Sequence, residues 1–373
     1  MTEGQALLAR LLRHEAKTNS YKFALIRALN DLALEYPLEV VEDVAVPLRR
    51  VAERWLVFYW GFVGDSPVYQ GARAQRDGTV RQDVSFRAEL TGLREAWEAL
   101  PYTRPDAAGG ALLLAAYRAG REQLPPDLQV QTAQTLTAIS RAVRQPVRYA
   151  GGGDQHRIFG PPAPAATLSG TLLPGTQPHG TAFLVPASLW RTLQDTSLWV
   201  EALCVHEWSL FVERASRDSP VSRGDVFARL SASPESRTPL TWERHQVRLL
   251  MLKGQPFACP WTGRRLVPEA FDLDHIIPVS VHPIQELWNL VPSDPAHNMH
   301  VKRARIPEQA RFSEAAPRLT EIYAAYGRWP ATRPVLAVDV AHRFGQALSP
   351  AVLTQAVTQL SEAVAQSRNV PRY

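Results

Sequence analysis

Residues 271–307, FDLDHIIPVSVHPIQELWNLVPSDPAHNMHVKRARIP, concentrate acid, imidazole and amide side chains as no other stretch of the chain does. Four of the ten histidines, His275, His282, His297 and His300, lie within it. Asp274 and His275 are adjacent and open an apolar run ending at Pro278; Asn289 follows fourteen residues after His275, and Asn298 nine after that. Cutting a phosphodiester requires a water or hydroxide aimed at phosphorus and a cation that stabilises charge on the leaving oxygen. A histidine with its ordinary pKa of about 6.5 can take the proton at neutral pH. The Asp274 carboxylate and the Asn298 amide oxygen suit a hard cation such as Mg2+ or Mn2+. These are the parts of a one-metal nuclease.

The same residues resemble the HNH endonucleases, the ββα-metal or His-Me finger family. The resemblance is carried by Asp274-His275-Ile276-Ile277-Pro278, by Leu287-Trp288-Asn289-Leu290-Val291-Pro292, and by Asn298, Lys302 and Ile306-Pro307. Cys259-Pro260-Trp261-Thr262-Gly263 is similar to the lead-in often found there. The pattern looks closest to the variant of restriction-type proteins and RNA-guided CRISPR nucleases, in which the third position is Asn rather than His. The resemblance implies that His275 is the general base, that Asp274 and Asn298 bind the metal, and that Asn289 holds the loop of the base in place. It also implies a two-stranded hairpin carrying the Asp-His pair, packed on a helix that carries Asn298. It covers residues 257–307. One departure stands out: the family often places Lys three residues after the third ligand, whereas Lys302 lies four after Asn298. A helix starting one residue differently would make His297 or His300 the ligand instead.

Each residue has a plainer reading beside the chemical one. An isolated Asp-His pair on a strand is usually surface polarity, and Asn289 and Asn298 at the family spacing are what raise it above that. Lys302, Arg303 and Arg305 read either as phosphate contacts or as a solvated face. His282 falls on the loop expected between hairpin and helix. Cys259 reads as core, because a second Cys-x-x-Cys arm is absent. His206-Glu207 matches the first half of a helical zinc-protease motif, but position 210 is Leu210, so a histidine packed on a helix face is expected there.

Composition narrows the classes. The hydrophobic fraction of 45% suits a packed globular chain, and a net charge of +5 with nearly all of its basic charge on arginine is compatible with a nucleic-acid partner; that the partner is DNA is what the resemblance implies. Two cysteines, Cys204 and Cys259, exclude a disulfide scaffold. No apolar run reaches the ~18–20 residues of a membrane span, and the opening MTEGQALLARLLRHEAK lacks a basic leader followed by an apolar block. The expectation is a cytoplasmic, unprocessed chain.

The elements that must position the cluster are mostly helical. Residues 5–36 read as one or two amphipathic helices, the second starting after Thr18-Asn19-Ser20, and residues 47–64, 84–100 and 110–121 read as further helices. Another spans 126–144 and closes at Pro146. Gly, Pro, Ser and Thr dominate 150–180, which predicts a linker or loop region and a domain boundary. A short strand at 181–185 precedes helices at 186–193, 198–215, 225–230 and 241–253, with two more at 308–326 and 350–366. The expected fold class is α+β, predominantly α-helical, with a ββα-metal HNH module flanked by helical regions. Its parts are a helical N-terminal domain (1–149) for recognition or partner binding, the 150–180 linker, a helical connector (181–256), the nuclease module (257–310) and C-terminal helices (311–373). The expected function is a divalent-metal-dependent DNA endonuclease of restriction or phage defence. The alternatives are a catalytically decayed HNH-fold DNA-binding protein and an RNA-directed nuclease, since nothing in the motif tests for a 2′-hydroxyl.

Overall fold

Phe23, Ile26 and Leu29 share one side of the helix over Tyr21–Glu35 (α2), yet Leu25, Ala28 and Leu32 on its other sides are buried too. A helix apolar all round belongs inside a domain rather than on its surface. In the computed structural model α2 follows a short helix over Glu3–Ala9 (α1) and packs along a long one over Ala187–Ala215, α7. The structure describes residues 2–14, 17, 19–37, 39–64, 66–71, 83–101, 103, 108–119, 124–151, 157–215, 221–232, 240–279 and 286–373. It divides into one unit of Met1–Tyr117 with Gln123–Pro234 and a second of Arg118–Glu122 with Glu235–Tyr373.

The first unit adds helices over Leu48–Trp60 (α3), Arg87–Glu98 (α4), Gly109–Ala119 (α5), Pro126–Tyr149 (α6) and Arg223–Leu230 (α8). Its core is aromatic: Trp55 stacks with Tyr21 at 5.1 Å between ring centroids, and Tyr59 meets Phe86 edge-on at 5.2 Å. Two polar ring ends in this core find partners, as buried aromatic residues with a polar tip usually do, whereas Trp55 Nε1 is buried without one among the described residues. Tyr59 Oη shares a hydrogen bond with Ser20 Oγ (2.8 Å), and Trp208 Nε1 donates to Gln70 Oε1 (2.8 Å). Ser20 therefore does not cap α2; the Tyr21 amide is taken by Asn19 Oδ1 at 3.2 Å instead.

Several expectations are corrected here. The helix α6 runs through Pro146 to Tyr149 rather than closing at it; Pro146 and Val147 stay buried, so packing outweighs the lost backbone bond. The described part of 150–180 is mostly loop, as one of the two expected readings has it, and lies inside the first unit rather than at a domain boundary. Ala163–Pro164 (β2) and Thr171–Leu172 (β3) join Val44–Pro47 (β1) and Thr181–Val185 (β4) in a four-stranded sheet ordered β2-β4-β1-β3. Glycine there serves close packing: a Cβ on Gly170 would lie 2.4 Å from the carbonyl oxygen of Asp43. The two helices expected at 186–193 and 198–215 are borne out: they meet within α7 at a kink where Thr196 is non-helical. His206 stands exposed on α7 rather than packed against a face. The expected 181–256 connector is split, its first part belonging to the first unit and the helix over Thr241–Leu252 (α9) to the second.

In the second unit the 257–310 and 311–373 segments share one core rather than forming separate parts, with Phe257, Trp261, Ile276, Trp288, Tyr323, Tyr326 and Val364 in a single apolar cluster. Strands Asp272–His275 (β5) and Leu290–Ser293 (β6) pair antiparallel, followed by a short helix over Pro295–His297 (α10) that continues as a π-helical turn over Asn298–Lys302. Helices over Gln309–Arg328 (α11), Thr332–Phe344 (α12) and Pro350–Ser367 (α13) complete it. The predominantly helical α+β class holds, and no helix among the described residues is long and apolar enough to cross a membrane.

A candidate acid-base and cation site on the 272–302 hairpin and helix

Alternation along β5 sends Asp272 and Asp274 to one face and Leu273 and His275 to the other. Register fixes the strand: Asp274 lies opposite Val291 and His275 opposite Leu290. The segment after the strand is held by Asn289. Its Oδ1 accepts from the Ile277 amide at 2.9 Å, its Nδ2 donates to the Ile277 carbonyl at 3.0 Å, and its own carbonyl accepts from Ile276 N at 2.8 Å. Asn289 is fully buried, so these bonds satisfy groups that water cannot reach. From behind, Tyr323 Oη donates to the Trp288 carbonyl (2.7 Å) and Tyr326 Oη to that of Leu290 (3.1 Å), while Asp339 Oδ2 accepts from Leu287 N (2.7 Å). Helices α11 and α12 thus anchor the strand that aligns the Asp-His pair. This places Asn289 where the resemblance implied, as a buried clamp on the loop beyond His275.

The helix over the 272/274 face starts at Asp294, whose Oδ1 accepts from Ala296 N (2.9 Å) and His297 N (3.3 Å), with Pro295 at the first helical position. The Arg264 guanidinium and these amides hold the Asp294 carboxyl below its usual range. The helix then widens. Arg303 N reaches back five residues to the Asn298 carbonyl at 2.9 Å, and Arg303 takes a positive φ of 52°. The four-residue step from Asn298 to Lys302 noted in the sequence is this π-helical turn, a feature frequent at functional sites. Asn298 Nδ2 donates to Asp272 Oδ2 at 3.3 Å. Lys302 Nζ lies 3.0 Å from Asp274 Oδ1 and donates to the His275 carbonyl at 2.6 Å. Trp261 Nε1 donates to Asp274 Oδ2 at 3.2 Å.

Burial sets the electrostatics. Desolvation raises the pKa of Asp274, with Lys302 and Trp261 pulling it back down. Desolvation, with the positive charge of Lys302 added, pushes His275 down to about 4, so its ring is neutral at pH 7. His275 Nε2 is enclosed and has no hydrogen-bond partner among the described residues.

The sequence expectations divide accordingly. Asp274, His275, Asn289 and Asn298 all lie on one hairpin and the helix after it, with Asp274 on the strand face that Asn298 covers and His275 on the other. Lys302 is corrected: at 1% exposure it is an internal partner of Asp274 and cannot serve as a phosphate contact. Arg303 is exposed, and Arg305 lies over the Tyr373 ring at 5.4 Å. His300 is exposed, and His297 sits beside the Tyr373 ring at 5.6 Å. Among the described residues, no cluster of three or more His, Cys, Asp or Glu ligands includes Asp274, His297 or His300. His282 lies outside the described residues. Cys259 is a buried core thiol. Sequence reading missed Asp272 and Trp261. The period of two along Asp272-Leu273-Asp274 is the signal for the first; the second stands in the Cys259–Gly263 lead-in, but its bond to Asp274, thirteen residues downstream, has no mark in the sequence.

The residue types here have the hard-oxygen chemistry of a divalent-cation site: the Asp274 carboxylate already faces a positive charge, the Lys302 ammonium, and Asp272 on the same strand face accepts from Asn298 Nδ2.

Fold and site together define a predominantly helical α+β protein whose second unit carries an Asp-His-Asn cluster on a strand hairpin and a following helix. Residues 1–230 match the family described as Domain of unknown function (DUF8808), and the chain belongs to that family. That match ends close to the boundary between the two units, so the 272–302 cluster lies beyond it. No curated protein and no solved structure matches the chain.

Proposed function

We propose that the chain is a divalent-metal-dependent endonuclease of the HNH kind that hydrolyses DNA, with His275 as the general base. The observation that carries this is the pairing of Asp274 and His275 on one strand, with the enclosed His275 Nε2 unpartnered and the loop beyond it clamped by Asn289. The two antiparallel strands and the helix bearing Asn298 support it as well, being the ββα arrangement the family resemblance implies. Mg2+ or Mn2+ would be held by Asp274 and Asn298. Bound there, the ion supplies stabilisation of charge on the leaving oxygen. His275 accepts the proton of the attacking water, and Asn289 keeps the His275 strand and its following loop in register. The arginine-rich excess of positive charge, +5 overall, suits a phosphate backbone. In this reading the first unit recognises DNA or a protein partner, and the setting is restriction or phage defence in the cytoplasm, by analogy with the family alone.

A second reading has its own observation. Both carboxylate oxygens of Asp274 are taken, by Lys302 and Trp261, as in a decayed site that keeps only DNA binding. Incubating the purified chain with supercoiled plasmid, or with RNA of matching sequence, in Mg2+, Mn2+ or chelator separates these. Metal-dependent plasmid cutting is expected. Retarded but intact DNA under every condition would favour the decayed site, and cutting confined to RNA would reassign the substrate.

A further inference from the structure

Lys302 is the least exposed lysine position one could assign to a DNA-binding surface, and its ammonium sits on the carboxylate that the proposed function gives to a metal. Its partners are all internal: Asp274 Oδ1 at 3.0 Å and the His275 carbonyl at 2.6 Å. The opposite oxygen of Asp274 is held by Trp261 Nε1, so the carboxylate is fully engaged without any ion. A buried carboxylate cannot carry two cations at one oxygen without strong repulsion between them. Mg2+ or Mn2+ can therefore reach Asp274 only if the ammonium leaves.

We propose that Lys302 is a resident counter-cation of Asp274, displaced when the divalent ion binds, so that it sets the metal concentration at which the site fills. This rests on the metal-dependent reading above. The π-helical turn supplies the means: it presents Lys302 one full turn beyond Asn298 and ends at Arg303 in a strained positive-φ conformation, φ 52°. A small rewinding there would withdraw the Lys302 side chain while leaving Asn298 over the strand.

The chain has only four lysines, Lys17, Lys22, Lys253 and Lys302, so amine reactivity can be read lysine by lysine after proteolysis. The parent protein is labelled with an acylating reagent in chelator and in Mn2+. Lys302 is expected to be protected in chelator and to gain roughly tenfold or more in labelling rate in Mn2+, while Lys253 stays constant. Calorimetry on Lys302→Gln, whose folding is checked by circular dichroism, should show Mn2+ bound roughly tenfold more tightly than by the parent. Asp274→Asn should abolish that binding. Saturable, Asp274-dependent Mn2+ binding with Lys302 still protected would overturn the displacement and leave the metal reading standing. No Asp274-dependent Mn2+ binding in either the parent or Lys302→Gln would overturn both.

Discussion

Asn289 and Ile277 form a closed ring of two hydrogen bonds, the Asn289 side chain accepting from the Ile277 amide at 2.9 Å and donating to its carbonyl at 3.0 Å. A side-chain amide is the one group that can answer both halves of a peptide in this way, because it carries donor and acceptor together. The ring ties the residue before β6 to the residue two past His275.

Replacing Asn289 with Ala leaves a buried N–H and a buried C=O unmatched, at about 1–3 kcal/mol each when they cannot reach water. Amide exchange at Ile277 should then accelerate by roughly 30-fold or more, since each 1.4 kcal/mol is tenfold. Asn289→Asp keeps the acceptor and loses the donor, so it should fall between the two. Exchange at Ile277 unchanged in Asn289→Ala would mean that α11 and α12 hold the loop without it.

Stability of the first unit should depend on pH through Asp31. Desolvation raises its carboxyl to about 6, against the opposing pull of Arg27 and Arg54. A folded-state pKa above the unfolded value means the folded chain binds the proton more tightly. The stabilisation is complete below about pH 4 and is lost as pH rises through about 6. Asp31→Asn, which never ionises, should therefore gain in melting temperature relative to the parent between pH 4 and 7. Thermal melts of the pair across that range check it; a constant difference would show that Asp31 ionises as freely folded as unfolded.

Much of this architecture was legible in the chain because local signals and packing agree. The helix at Tyr21 begins where Asn19 and Ser20 interrupt the pattern, and Gly254, with φ 90°, ends α9 where the sequence places it. The Asp274, Asn289 and Asn298 spacing survives because a hairpin and one helical turn bring exactly those intervals together only in this register. What was hidden is non-local. Short strands such as β2 and β3 have no periodicity of their own and exist only because β1 and β4 accept them. The helix α12 begins just after Pro330 and carries Pro334 in its first turn, so the prolines that argue against a helix there are tolerated as entry residues. Lys302 looked like one of three surface cations beside Arg303 and Arg305; only the pairing of its turn with β5 reveals it as buried.

The central claim is that His275 is the base of a metal-dependent nuclease. Its most direct test is the rate of plasmid cleavage in Mn2+ by the parent and by His275→Ala, with circular dichroism showing that the variant is folded. The account predicts a fall of roughly 100-fold or more in cleavage, in line with the usual contribution of a general base, with Mn2+ binding retained. Cleavage by folded His275→Ala at the parent's rate would contradict it.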